Sequence, residues 1–193
     1  MDLTHKSEKQ KSDNAKKMML WFGIVSLIMA FAGWTSAYIV SSSREDWLKD
    51  FDLPSAFFWS TLIIVVSSIT YFLAVQATKK DKKSQATIYL WTTLVLGVAF
   101  IILQFVGFSQ LIGNGFYFTG PTSSITTSYI FLIAVVHVAH VVAGLVSLIV
   151  VIVNQIRGKY SSTEVNGLEI GATFWHFLDL LWVYLILFFY LYR

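Results

Sequence analysis

Four side chains could do chemistry within otherwise apolar stretches: His137 and His140 in "VVHVAHVVAGLVSLIV", and His176 and Asp179 in "FWHFLDLLW". Imidazole carries protons and ligates metals, and a carboxylate is its natural partner, so spacing decides what these groups can reach. On a helix His176 and Asp179 lie three apart and Trp175 and Asp179 four apart, sharing a face that also takes in Trp182. Asp179 can accept what His176 donates. This predicts a polar clasp facing protein rather than lipid, each group offsetting part of the other's desolvation and together locking the fourth and fifth helices. Direct proton or metal chemistry is the competing use. His137, His140, Gly144 and Ser147 fall on a second stripe, where the small residues let a neighbouring backbone approach and the imidazoles hydrogen-bond across the seam. Spacing of i, i+3 also suits two ligands of one metal, but the sequence supplies no third. A haem between His140 and His176 would need both at one depth. His140 lies thirteen residues before Val153 and His176 six after Ile170, roughly 20 Å and 9 Å along a helix. That mismatch argues against a bridge.

The elements that position these groups follow from composition. Of 193 residues, 56% are hydrophobic and 13% charged, with a mean hydropathy of +0.66; a soluble domain carries about 25% charged residues. The chain is therefore expected in lipid. It has no cysteine, which excludes disulfides, thiolate zinc or copper sites and iron–sulfur clusters. Four histidines are too few for several haems or a multinuclear copper centre. A net charge of +3 does not point to nucleic acid.

Five apolar stretches are each long enough to cross a bilayer: about 18–40, 56–77, 86–108, 125–153 and 170–192. Backbone polar groups in lipid must pair within the segment, so each is expected to be a helix. The fold class predicted is all-α, a five-helix membrane bundle over residues 18–193, preceded by a polar, flexible cytoplasmic tail at 1–17. Pro54 suits the start of the second helix. Lysine and arginine number eleven across the tail and the second and fourth loops, against three elsewhere. This puts the N-terminus inside and the C-terminus outside.

Ten of the eleven carboxylates fall in the tail, loops or span edges, and Asp179 alone lies well inside a span. A pump or transporter with its own ion path usually shows several such groups along a route. Trp21, Trp47, Trp59, Tyr89, Trp91, Tyr190 and Tyr192 fall near span ends and read as interfacial belts, whereas Trp34, Trp175 and Trp182 are expected between helices. Ser60, Thr61, Ser67, Ser68 and Thr70 read as a small-residue packing seam with side-chain hydrogen bonds.

The segment "EIGATFWHFLDLLW" at 169–182 resembles a motif of subunit III of the haem–copper oxidases, in its short five-helix bacterial form. In that motif Glu169, Trp175, His176, Phe177, Asp179 and Trp182 fall in place. "HVAHVVAGL" at 137–145 resembles that family's His-x-x-His-Val-x-x-Gly segment, and weaker echoes stand at 37–40, 60–70 and 96–104. Two positions depart from the pattern. Leu27 stands where the family often has a buried glutamate, and Gly107 follows Gln104 where another is common. Both argue against proton buffering by a membrane glutamate of this chain. The resemblance implies an accessory subunit of a cytochrome c oxidase in a bacterial inner membrane. Such a subunit holds no redox centre, haem and copper belonging to its partners. It packs on subunit I and other oxidase subunits, binds phospholipids, sustains proton uptake and turnover stability, and is a candidate member of a respiratory supercomplex. A quinol oxidase, a nitric oxide reductase, a b-type cytochrome anchor and a small proton-coupled transporter remain as alternatives.

Overall fold

A computed structural model describes residues 8–45, 47–48, 52–120 and 123–192. The chain forms five helices: α1 (Glu8–Ser41), α2 (Ser55–Lys79), α3 (Lys83–Gly113), α4 (Ile125–Ile156) and α5 (Asn166–Leu191). All five are long and apolar enough to cross a membrane, as the sequence predicts. With 25 to 34 residues each, at 1.5 Å per residue, they outreach a hydrocarbon core of about 30 Å. Their ends therefore stand in the headgroup region, and the helices run past the apolar stretches that announce them.

The largest difference from expectation is at the start of α1. Its helix begins at Glu8, well before the apolar run, where a flexible tail was expected; residues 1–7 lie outside the described residues. The polar turns carry Glu8–Lys11 (3.0 Å) and Asp13–Lys16 (3.8 Å) pairs. Both are spaced i, i+3 on the helix surface, and Glu8 in the first turn complements the helix dipole.

The connections are set by local chemistry. Pro54 occupies the N-cap of α2 with φ −54°. The tight α2–α3 turn puts Asp81 at φ +55°, a conformation that aspartate tolerates better than most residues. Ser124 caps α4, its side chain accepting from the Thr127 amide at 3.2 Å. Gly158, at φ +70°, ends the turn after α4.

In the bundle α5 is the most buried helix and α1 the least. α5 packs against α1, α2 and α4, and α4 packs against α1, α3 and α5. α2 and α3 form an extended hairpin. Among the described residues, α1 and α2 make no close backbone approach. α5 thus stands between α1 and α2 and completes the circuit of helices that runs α1, α4, α3, α2, α5. The core is heavily aromatic: Phe31, Tyr38, Phe57, Phe100, Trp175, Trp182 and Phe189 are fully buried. Trp47, expected in an interfacial belt, is instead buried edge-on against Tyr38, ring centroids 4.7 Å apart. Trp21, Trp59, Trp91, Tyr190 and Tyr192 are exposed, as belt residues would be.

Candidate functional site

The polar groups of the membrane interior gather along the α2–α5 seam. Trp175 donates from Nε1 to Ser67 Oγ at 2.8 Å, Trp182 donates from Nε1 to Thr61 Oγ1 at 3.1 Å, and His176 Nδ1 shares a 2.6 Å hydrogen bond with Ser68 Oγ. At one end Lys79 and Glu169 form a 2.7 Å ion pair. As α5 ascends in number α2 descends, so these contacts are rungs of one antiparallel ladder.

The chemistry of the rungs comes from how hydroxyls behave in a helix. Thr61 Oγ1 donates its own proton back to Phe57 O at 2.8 Å, which leaves its lone pairs facing outward to accept the indole N–H. Ser60 does likewise with Phe57 O and accepts from Gln104 Nε2, both at 2.8 Å. Thr70 bonds Thr93 at 2.8 Å. All five hydroxyl residues of α2 singled out in the sequence thus bond across a helix boundary, three to α5 and two to α3. Gln104 and Thr93 were not singled out as their partners. The available signal was that they are fully buried polar residues in an apolar helix.

The clasp takes a different form from the one expected. His176 is bonded to Ser68 of α2 rather than to Asp179, so it joins α2 to α5 and not α4 to α5. Asp179 is 4% exposed. Ser68 faces it, but neither carboxylate oxygen has a hydrogen-bond partner of good geometry. The cause lies in the ladder register. Between the rungs at Thr61 and Ser67, α2 presents Ile64 and Val65, which offer no donor. His176 and Asp179 line a groove of about 320 Å³ along the α2–α5 seam with Val65, Ser68, Leu180 and Val183.

The α4 stripe does other work. His137 is fully buried, its ring stacked on Trp182 (centroids 5.1 Å apart, planes at 24°) and set edge-on to Phe100 and Phe31. Neither of its nitrogens has a hydrogen-bond partner. His140 is half-buried beside Phe31 and donates from Nδ1 to Val136 O at 2.7 Å. Neither imidazole bonds across the seam, contrary to expectation; both contribute as aromatic rings. His140 and His176 are engaged with different helices. Among the described residues, no group of three histidine or carboxylate side chains is placed to hold a metal ion. Gly144 does serve close approach. A methyl there would lie 2.9 Å from Leu178 Cδ1 and 3.3 Å from Trp175 Cε3.

Outside the membrane spans, Asp81 accepts from the Ser162 amide at 3.1 Å, tying the α2–α3 turn to the α4–α5 loop. Hydrogen bonds from Ser162, first from its side chain and then from its backbone, hold the Asp81 carboxyl below its ordinary range. Burial raises the Tyr160 hydroxyl above its own.

The family model for cytochrome c oxidase subunit III matches residues 46–193, which contain α2 to α5 and every rung of the ladder. Among similar curated proteins is a cytochrome bo(3) ubiquinol oxidase subunit 3 of Pseudomonas aeruginosa, 35% identical over 69% of this chain and 62% of that one. A cytochrome c oxidase subunit 3 of Alkalihalophilus pseudofirmus is 30% identical over 66% of this chain and 61% of its own length. One from Corynebacterium diphtheriae is 25% identical, over 81% and 78%. The chain spans about three fifths of the length of the first two.

Proposed function

The chain belongs to the cytochrome c oxidase subunit III family, and from that membership we propose that it is a non-redox accessory subunit of a terminal respiratory oxidase. It sits in a bacterial inner membrane with its N-terminus inside, packs on the catalytic subunit I, and leaves haem and copper to its partners. It binds phospholipid along its exposed helix faces and supports assembly, proton uptake and endurance during turnover. The single observation that carries this reading is the family match running unbroken through the α4 and α5 motifs.

Within this role the ladder has a plain purpose. Lipid tails give helices no hydrophobic reason to associate, so packing and interhelical hydrogen bonds must hold the bundle. A rigid five-helix body then presents one fixed face to its partner. We take cytochrome c as the electron donor of the complex. A quinol oxidase is the second reading, favoured by the 35% identity to the Pseudomonas aeruginosa protein.

Mild detergent extraction through a tag on this chain tests the proposal. Other oxidase subunits and a haem absorption band are expected to co-purify, and oxidation of reduced cytochrome c against quinol separates the two readings. A chain that elutes alone, or that drives proton-coupled transport by itself in liposomes, would overturn both.

A further inference from the structure

Residues 79–83, Lys-Lys-Asp-Lys-Lys, are charged without a break, and all five are exposed on the turn between α2 and α3. Lys79 is committed to Glu169 at 2.7 Å. Lys80, Lys82 and Lys83 form no salt bridge among the described residues. The one carboxylate in the run, Asp81, accepts from the Ser162 amide of the α4–α5 loop at 3.1 Å, and Lys83 adds only the weakest of the pulls on it. The turn itself is pinned: the Asp81 amide donates to Thr78 O at 3.0 Å and the Lys82 amide to Ala77 O at 2.9 Å. Three ammonium groups are thus held close together against one carboxylate that is engaged by another loop. Orienting the chain in a membrane asks for a count of lysines and arginines on one side. It does not ask for like charges crowded onto a fixed turn, where they repel one another.

Depth and charge together choose the partner. α2 has 25 residues, about 37 Å at 1.5 Å each. Centred in the bilayer, its last residue stands about 18 Å from the midplane, beyond the hydrocarbon edge at about 15 Å and inside the headgroup limit at about 20–22 Å. The lysines therefore lie among lipid phosphates. A run of four lysines immediately beside the inner end of a spanning helix draws in anionic lipid, whereas a zwitterionic headgroup brings an ammonium that the same lysines repel. We propose that the α2–α3 turn is a headgroup site for an anionic phospholipid of the inner leaflet, with Lys80, Lys82 and Lys83 on its phosphate oxygens. The inference deepens the phospholipid binding of the proposed function and rests on the topology given there. It adds the place and the charge class of the lipid.

Native mass spectrometry of the full chain in a mild non-ionic detergent, titrated with phosphatidylglycerol or phosphatidylcholine, tests the assignment. The parent should hold phosphatidylglycerol at least about tenfold more tightly than phosphatidylcholine. A variant carrying Lys80→Gln, Lys82→Gln and Lys83→Gln should lose that preference, and arginine at the same three positions should keep it within about twofold. The control carries Lys11→Gln, Lys16→Gln and Lys17→Gln, which removes the same number of charges from the polar turns of α1 and should also keep it within about twofold. No preference in the parent, or an equal loss in both glutamine variants, overturns the proposal: the second result means that charge anywhere on this side suffices. Displacement of the lipid by inorganic phosphate at matched ionic strength overturns it too, because the turn then takes any phosphate. If the turn variant keeps its lipid but sheds co-purifying oxidase subunits, the lysines meet an acidic protein surface and the lipid site fails. None of these outcomes touches the accessory-subunit reading, which falls only if no oxidase subunit co-purifies with the parent chain.

Discussion

Gly97→Ala should destabilise the chain, although alanine is the better helix former. A methyl at Gly97 would lie 2.7 Å from Trp175 Cη2, 2.8 Å from Leu145 Cδ2 and 3.0 Å from Trp175 Cζ2, well inside the 3.5–4.0 Å at which carbon atoms attract. The indole cannot step aside freely. It is 1% exposed, its Nε1 is held by Ser67 at 2.8 Å, and the face toward α4 is closed by Gly144. Overpacking of this kind costs about 1–3 kcal/mol. If the indole rotates to make room, the Ser67 bond is lost at about another 1 kcal/mol. Better helix propensity returns about 1 kcal/mol, so the net loss is about 0–2 kcal/mol if the indole stays in place and about 1–3 kcal/mol if the Ser67 bond breaks as well. Gly33→Ala on α1 is the control, since nothing lies within 4 Å of its added methyl and only the propensity gain remains. Thermal unfolding in one detergent, followed by tryptophan fluorescence, should show the Gly97 variant melting below the parent and the Gly33 variant at or above it. Equal melting of the two would refute the claim that Trp175 is fixed by the α2–α5 ladder.

His137→Phe should be neutral or stabilising by about 1 kcal/mol in the same assay, because it replaces a stacked ring whose nitrogens have no partner with one that needs none. Loss of several kcal/mol would show an unseen partner at that imidazole. Glu169→Gln removes the half-exposed ion pair to Lys79 and should cost about 0.2–1 kcal/mol at low salt, a difference that shrinks as salt is added. Asp81 has a depressed folded-state pKa, so its contribution to the turn is fully present above the unfolded value of about 3.9 and is lost as pH falls through the lower folded value. Hydrogen exchange at the Ser162 amide should stay slow at pH 5 and quicken only below pH 4. Acceleration already at pH 6 would rule out the carboxylate as its acceptor.

Hydropathy alone locates the five helices, because a bilayer forces each apolar stretch into one backbone solution. It does not locate the start of α1, since continuation from Glu8 depends on i, i+3 charge pairs whose effect per pair is small. The hydroxyls of α2 are legible as a packing seam, and the sharing of one face by His176 and Asp179 is legible from their spacing. Their partners are not. Whether His176 turns to Asp179 or to Ser68 depends on which helix lies alongside, and helix neighbours in a bundle are a property of the whole. Trp47 shows the same limit: its position near a span end suggests a belt, but the loop folds it back onto Tyr38.

The ladder explains why Asp179 is the one acid left inside the membrane. Trp175, His176 and Trp182 of α5 each meet a hydroxyl of α2, because residues 61, 67 and 68 of that helix are serine or threonine. At the one rung where α2 turns apolar, through Ile64 and Val65, α5 carries a carboxylate. A mismatch of that kind destabilises the lone subunit, since a buried unpaired polar group costs about 1–3 kcal/mol. The hydrogen bonds that hold this bundle together and the one it lacks therefore follow from the same register of two antiparallel helices.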